Sequence, residues 1–396
     1  MNLLTRRLAW PACVAVAAVC LPGPHAAAVE RPDFDAPFGC AEDWSASTRS
    51  GHSPSYYSVD FNKEDDDGAP VLASAPGQVT LVRDLGDSSY GQHVVLDHGE
   101  GWTTLHAHLQ AMYVVEGQRL DQGDVIGLLG TSGGSTGPHL HYEQNLERVN
   151  QHAYFDGTQL TYGTTIRSTN CGDVPVVGDW NGDRVSDVGV FRRTAAPTFR
   201  RRLPDGTVSR IRLGSSVHLP LTGDWNGDGQ SEVGTWSRLD RIFTLRGPDG
   251  RLQTFRYGGV RDLPVTGDWD GDGRTDVGVY RPRTGAFRLR ATDGSLTRYA
   301  FGSASVAPVT GDWNGDGRTD VGTYNQRTGT WRLRSTRTGE VTRLRYGGLG
   351  RLPVTGDWNG DGRTDVGTWS PSTGRFALRT DTGKVTTRRV SFGRPR

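Results

Sequence analysis

The sequence has no long run of apolar residues at helical spacing, which argues against a helical bundle or coiled coil. Apolar residues make up only 34% of the chain, against 55 glycines in 396 residues, so a loop-rich and turn-rich architecture is expected. Short strand-like runs punctuated by Gly, Asp, Asn and Pro point to a mostly β protein. Charge of one sign is also lacking. Lys+Arg (45) nearly balances Asp+Glu (44). Overall charge therefore gives no case for a nucleic-acid partner or an anionic membrane, and neither is expected. The one apolar run, residues 8–22, is shorter than the roughly 20 residues a membrane span needs.

That run reads instead as part of a secretory signal. Arg6 and Arg7 precede it, and Ala26-Ala27-Ala28 offers a small-residue cleavage site, so residues 1–28 are assigned to the signal and the mature chain to Val29 onward. Arg6-Arg7 leaves twin-arginine export open beside the general route. Of four cysteines, Cys13 and Cys20 leave with the signal. Cys40 and Cys171 remain, and in an exported chain they predict one disulfide.

From about residue 166 to the end the chain repeats. The pattern Gly-Asp-Trp-Asn/Asp-Gly-Asp-Gly-x-x-Asp/Glu-Val-Gly recurs from Asp179, Asp224, Asp268, Asp312 and Asp357, at intervals of 44 or 45 residues. Each unit carries about four strand-like pieces; in the third they are 263–269, 276–281, 286–290 and 296–301. Four short antiparallel strands per repeat predict a propeller blade, and five blades is the direct count. The expected architecture is all-β: an antiparallel β domain over 29–165, then a propeller over 166–396.

Seven of the ten histidines lie between positions 52 and 141, in a segment with strand-like runs at 57–61, 77–83, 93–98, 103–109, 124–129 and 139–144. Four form the pairs His106-Ala107-His108 and His139-Leu140-His141. Side chains two apart on a strand share a face, so each pair is expected to aim two imidazoles into one cleft. A catalytic zinc takes three protein ligands and leaves a position open, and two imidazoles with a carboxylate suit it.

The run Gly133-Gly134-Ser135-Thr136-Gly137-Pro138-His139-Leu140-His141-Tyr142-Glu143, with His52…Asp60-Phe61 and Leu105-His106-Ala107-His108-Leu109, resembles the M23 family of zinc endopeptidases (lysostaphin, LytM and beta-lytic types). The resemblance covers most of residues 50–145. It implies that His52, Asp60 and His141 bind one catalytic zinc, that His108 and His139 are the catalytic histidines, and that the substrate is peptide in bacterial peptidoglycan. Two departures stand out. His106 occupies a position usually held by tyrosine, and seven residues separate His52 from Asp60 where three are common.

Each repeat also has oxygen-ligand spacing suited to structural calcium. The sets are Asp179/Asn181/Asp183/Asp187, Asp224/Asn226/Asp228/Glu232, Asp268/Asp270/Asp272/Asp276, Asp312/Asn314/Asp316/Asp320 and Asp357/Asn359/Asp361/Asp365. In the first, Arg184 replaces the turn glycine. The repeats resemble the FG-GAP/VCBS type, which implies calcium-braced blades and a recognition role toward wall glycans or surface proteins. The expected protein is a secreted or wall-associated monomer that cuts peptidoglycan stems or cross-bridges. The rival readings are a secreted protease of general proteins and a non-enzymatic wall or adhesion protein that activates other hydrolases.

Overall fold

The computed structural model describes residues 29–381 and 385–395; the expected signal segment lies outside them. Among the described residues the only helix is the 3-10 turn Pro282–Thr284, so the all-β expectation holds. No described helix is long and apolar enough to cross a membrane.

The first sheet is antiparallel along the order Thr164–Arg167, Asp43–Ser47, Val59–Asn62, Leu140–Leu146, Trp102–Met112, Gln92–Gly99, Gly77–Asp84 and Arg119–Leu120. Period-2 alternation fixes which face is buried. In Val59–Asn62, Val59 and Phe61 enter the core at 0% exposure while Asp60 points to the other face. Phe38 stacks on Trp44 at 3.7 Å between ring centres and meets Phe61 edge-on. The expected strand at 57–61 starts two residues later. Ser58 N–H closes a turn onto the Ser55 carbonyl, which leaves Tyr56 and Tyr57 exposed. The strands Asp43–Ser47 and Thr164–Arg167 were not expected. They are short and rich in Ser and Thr, so their apolar alternation is faint. Cys40 and Cys171 form a disulfide, with Cα atoms 4.7 Å apart, close to the ends of that outer pair.

Five four-stranded antiparallel sheets follow, spanning residues 173–212, 219–256, 263–300, 307–345 and 352–391. Their innermost strands neighbour one another in order, and Leu352–Gly356 returns to Asp173–Gly178, so the ring closes as a five-bladed propeller. Hydroxyls tie successive inner strands: Thr222 to the Val177 carbonyl at 2.6 Å, Thr266 to Thr222 at 3.0 Å, Thr310 to Thr266 at 2.8 Å and Thr355 to Thr310 at 2.9 Å.

The repeat loops brace the same joints. Ser231 N–H donates to the Asp179 carbonyl at 2.6 Å, and the corresponding bonds run from Thr275, Thr319, Thr364 and Ser186 to Asp224, Asp268, Asp312 and Asp357. Inside each loop the first aspartate caps the turn. Asp224 Oδ1 accepts the Gly227 and Asp228 N–H groups, and its Oδ2 accepts Gly229 N–H at 2.7 Å. Gly229 has φ +86°, a left-handed conformation that costs glycine nothing; Arg184 adopts φ +66° at the equivalent place.

The two parts pack together within one compact unit, residues 32–396. Leu72, Tyr113 and Val125 bury themselves against Val217, Leu239 and Val260. Three propeller arginines reach across. Arg193 pairs with Asp124 at 3.2 Å, Arg238 donates to the Val125 carbonyl at 3.0 Å, and Arg261 donates to the Met112 carbonyl at 3.1 Å.

Candidate metal centre

Three side chains from separate places in the sequence meet on two interior strands of the first sheet, on the face opposite Val59 and Phe61. Asp60 and His141 stand directly opposite each other on neighbouring strands, and His52 comes from the loop before Val59–Asn62. All three are buried, at 4%, 7% and 3% exposure for His52, Asp60 and His141. His52 Nε2 lies 3.1 Å from Asp60 Oδ1 and 3.1 Å from His141 Nδ1, and His141 Nδ1 lies 3.2 Å from Asp60 Oδ1.

Neutral imidazoles leave that triangle without a proton. The Thr48 hydroxyl donates to the Tyr56 carbonyl at 2.8 Å, so Thr48 Oγ1 is left to accept His52 Nδ1–H at 3.1 Å, and Nε2 is bare. His141 Nε2–H donates to Glu143 Oε1 at 3.0 Å, which bares its Nδ1. Two imidazole lone pairs and a carboxylate oxygen therefore converge, and the site needs a cation among them. A tetrahedral ion with bonds of about 2.0–2.1 Å places its ligand atoms roughly 3.3 Å apart, close to the spacing present. Thr48 and Glu143 hold His52 and His141 in the tautomers that such binding requires.

Charge follows the same logic. Burial by itself raises the Asp60 carboxyl, but bonds to His141 and His52 outweigh it and hold the acid well below the usual range. Arg49 Nη1 lies 2.7 Å from the other oxygen, Oδ2, and fixes the carboxylate's orientation. Burial pulls the His141 imidazole down, yet Asp60 and Glu143 on its two nitrogens raise it overall. Without a metal, a proton takes the cation's place.

His108 and His139 sit beside the triad, their ring centres 4.7 Å apart. His108 Nδ1–H donates to the Ser132 carbonyl at 2.8 Å and His139 Nδ1–H to the Gly137 carbonyl at 2.9 Å, so each presents a bare Nε2. His139 Nε2 is 3.6 Å from Asp60 Oδ1. Burial, with the neighbouring His139 and His141, lowers His108 to about 4 despite the Ser132 bond, so it is a free base at neutral pH. The loop supplying Ser132 is seated by close backbone contact. A Cβ on Gly133, at φ +73°, would fall 2.3 Å from Gly91 N.

The pairing rule for His-x-His succeeds once and fails once. His139 and His141 both reach the cleft. His106 does not: it is 0% exposed and packs edge-on against Tyr142 at 5.2 Å. In register, Ala107 opposes His141 and His106 opposes Tyr142, so the regular strand puts position 106 on the core face. His108 escapes that face because its backbone turns to φ +63° where the pairing with Gln92–Gly99 bulges, between His106 and Leu109. His98 bonds Pro76 and Thr104 through its two nitrogens and is structural.

Four residues of the site were missed. Glu143 was legible, since it lies two positions after His141 and shares its face. Tyr90, whose hydroxyl donates to Glu143 Oε1 at 2.7 Å, and Thr48 and Arg49 carry no local signal.

The propeller loops are less uniform than their sequences. Among the described residues, carboxylates converge in two of the five, Asp224/Asp228/Glu232 and Asp268/Asp270/Asp276. The other expected calcium ligands fall outside these sets, and hydrogen bonds within the turns account for where they point. Asn181, Asn226, Asn314 and Asn359 donate through Nδ2 to Oδ2 of Asp183, Asp228, Asp316 and Asp361, at 2.9, 2.9, 3.2 and 3.1 Å. Each of these asparagines also accepts the same aspartate's backbone N–H at its Oδ1. The four asparagines thus brace their turns, Asn226 among them in a loop whose carboxylates converge.

Asp183, Asp272, Asp316 and Asp361 brace their turns as well, as Asp228 of a converging set does. Their Oδ1 atoms accept N–H groups two residues on, from Val185, Arg274, Arg318 and Arg363, at 2.8, 2.8, 3.1 and 2.9 Å. At the ninth position Asp187 and Asp365 accept the Trp180 and Trp358 N–H groups, and Asp320 accepts the Thr336 N–H and hydroxyl. Asp179, Asp312 and Asp357 cap their own turns as Asp224 does. In the loops at 179, 312 and 357, no set of three converging carboxylates is found among the described residues.

The histidine-rich segment is similar to known proteins. Residues 55–153 match the family model of peptidase family M23. The chain is 47% identical over 79 residues to the DD-carboxypeptidase/endopeptidase Mpg of Neisseria meningitidis serogroup B, covering 20% of this chain and 18% of that one. It is 42% identical over 76 residues to the peptidoglycan DD-endopeptidase ShyA of Vibrio cholerae (19% and 17%) and 37% identical over 76 residues to the cell division protein DipM of Caulobacter vibrioides (19% and 12%). The chain thus spans less than a fifth of the length of these curated relatives. Among solved structures, the catalytic domain of the prophage-encoded M23 protein EnpA from Enterococcus faecalis aligns at 26% identity and TM-score 0.24, over 34% of this chain and 97% of that one. The matched segment holds Asp60, His108, His139 and His141, and with them this chain carries a peptidase family M23 domain.

Proposed function

We propose that the protein is an exported zinc endopeptidase that hydrolyses peptide bonds in bacterial peptidoglycan. The observation that carries the reading is the meeting of three metal-ready acceptors, on His52, Asp60 and His141, with two further imidazoles whose Nε2 atoms are bare. The names of the matched relatives, two of them DD-endopeptidases, support the choice of substrate.

Zinc, when bound, supplies Lewis acidity at the scissile carbonyl and lowers the pKa of water to about 7. The protein's own groups do the rest. His108 Nε2 takes the proton of the attacking water, and its Nδ1–H···O=C bond to Ser132 keeps the ring aimed while it is charged. The proton taken by His108 then passes to the departing amine, while His139 Nε2, anchored through Gly137 and loaded with a proton from solvent, donates a hydrogen bond to the tetrahedral oxyanion. Glu143 and Thr48 keep His141 and His52 in their ligand tautomers. The test is release of new amine termini from purified peptidoglycan. Chelation is expected to abolish it and one equivalent of zinc to restore it; release that survives chelation refutes the metal's role.

In the propeller, the reading extends to structural calcium in the two loops where carboxylates converge. Burial and the neighbouring Asp228 and Asp224 raise Glu232 to about 7, so its ionised form is held at a cost. The folded state then binds a proton more tightly than the unfolded chain, and stability falls as pH rises from about 4.5 to 7. Calcium at 10 mM is expected to reverse that fall at neutral pH by about 1.4–2.7 kcal/mol per site if the dissociation constant is 10⁻⁴–10⁻³ M. Thermal melts of wild type and Glu232→Gln, with and without calcium, check it. An equal response in both denies the site at that loop.

A further inference from the structure

The near-zero net charge of the chain conceals a strong separation. Residues 172–396 carry 36 basic and 24 acidic side chains, a net of +12, whereas residues 29–171 carry 7 and 20, a net of −13. Within the propeller, 16 of the acids lie in the five repeat loops. Outside those loops 32 basic side chains meet only 8 acids. Much of the excess sits on the two outer strands of the blades.

Their placement is unfavourable unless something else is bound. Arg200 stands directly opposite Arg210, Arg288 opposite Arg298, and Arg332 opposite Arg343. Like charges directly opposite across a strand pair destabilise it. Elsewhere the propeller gives its arginines acids: Arg192 pairs with Asp173 at 2.9 Å and Arg281 with Asp262 at 3.1 Å. Among the described residues, no carboxylate forms an ion pair with any of the six opposed arginines.

Several of the outer arginines are also held in place. Arg332 lies over the Phe301 ring at 4.7 Å, Arg334 over Tyr299 at 5.3 Å and Arg290 over Phe255 at 5.4 Å, each on an aromatic of the preceding blade. Stacking leaves the guanidinium edge free to donate and reduces the entropy lost on binding. Between blades two clefts are open at corresponding places, with their arginines at different strand positions: Arg288 faces Arg298 in one, whereas Arg389 faces Ala377 and Arg375 faces Ser391 in the other. One, of about 270 Å³, is lined by Tyr257, Thr284, Arg288 and Arg298; the other, of about 420 Å³, by Tyr346, Thr373, Arg375 and Arg389. Tyr257 and Tyr346, like Thr284 and Thr373, are two repeats apart.

We infer that these inter-blade clefts bind the anionic groups of a linear polymer, phosphate or carboxylate, presented at intervals along the bacterial wall. The planar guanidinium fork matches both groups in a bidentate manner. Repetition around the propeller gives one chain several footholds, and avidity follows from their linkage. The acidic peptidase domain is repelled by the same polymer, so the molecule is oriented with its propeller toward the anionic matrix. The wall as the polymer's location rests on the proposed function; the anion chemistry does not.

The experiment titrates the mature chain with long-chain inorganic polyphosphate and, separately, with polygalacturonate, at 50–200 mM salt. Saturable binding to at least one probe is expected, weakening as salt rises. The stronger probe identifies phosphate or carboxylate as the source. Replacing Arg288, Arg298, Arg375 and Arg389 together by glutamine is expected to weaken binding at least tenfold and to flatten the salt dependence. Removing the like-charge repulsion between Arg288 and Arg298 leaves the melting temperature of that double variant unchanged or higher; if the fourfold variant does not fold, Arg288/Arg298 and Arg375/Arg389 are replaced separately. Absence of saturable binding, equal binding by the variants, or preference for a DNA duplex over both probes overturns the inference. Hydrolysis of peptidoglycan stripped of anionic polymer is expected to be equal in wild type and variants. A failure of the catalytic reading therefore shows there, apart from the binding result.

Discussion

His141→Ala is expected to lose both bound zinc and hydrolysis, with the rate falling by about 10³-fold or more. Lewis-acid stabilisation contributes several kcal/mol, and each 1.36 kcal/mol is a factor of ten. The fold is expected to survive, because His141 lies on the cleft face of its strand while Leu140 and Tyr142 beside it fill the core at 0% exposure. Metal content by elemental analysis separates this outcome from unfolding. The pH dependence has a definite sign. Asp60 and Glu143 raise His141, so its Nδ1 binds a proton more readily than an isolated imidazole does. As pH falls, that proton displaces the metal, and zinc affinity falls with it. Activity lost in mild acid should therefore return when zinc is added at the same pH. Loss that zinc does not relieve would assign the acid limb to another group.

His108→Ala is the second large effect. Its zinc content is expected to match wild type, while kcat falls by about 10²–10⁴-fold, the usual contribution of a positioned general base. His108 is not within the ligand triangle, and its Nδ1 is committed to Ser132. Because burial lowers His108 to about 4, the wild-type imidazole is already free at neutral pH. Added imidazole is expected to restore part of the rate in the alanine variant and none in His141→Ala. A variant that loses zinc in step with activity would make His108 a support for the ligands instead of a base.

The contrast between His106 and His108 shows where sequence reasoning reached its limit. Both stand in one His-x-His pair, and strand periodicity gives them one face. A single left-handed residue at His108 undoes that, and nothing in Leu-His-Ala-His-Leu announces it. His139 and His141 were legible because His141 lies in regular strand and His139 just before it. The propeller was legible for another reason. A 44–45-residue period repeats its evidence five times, so errors at one strand end do not change the architecture. The loops show the reverse. Their motif suggested five like cation sites, yet the residue types that ligate calcium are the same ones that close turns by bonding the backbone. Asp312 Oδ1 and Oδ2 already accept backbone N–H groups, and Asn314 and Asn359 brace Asp316 and Asp361. Residues such as Thr48, Arg49 and Tyr90 were out of reach, since only tertiary contact brings them to the metal centre.

The charge separation bears on how catalysis is delivered. A cationic propeller that grips a polyanion raises the local concentration of substrate for the domain attached to it, without entering the reaction. The interface through Arg193, Arg238 and Arg261 ties those two functions together mechanically.

The central claim is that the histidine-rich cleft cuts peptide bonds in peptidoglycan. The most direct measurement is mass spectrometry of the fragments released from purified peptidoglycan by wild type and by His141→Ala. Peptide fragments gaining one water, each with a new amine terminus, are predicted from wild type alone. Identical fragments from both proteins, or sugar fragments with intact peptides, would contradict it.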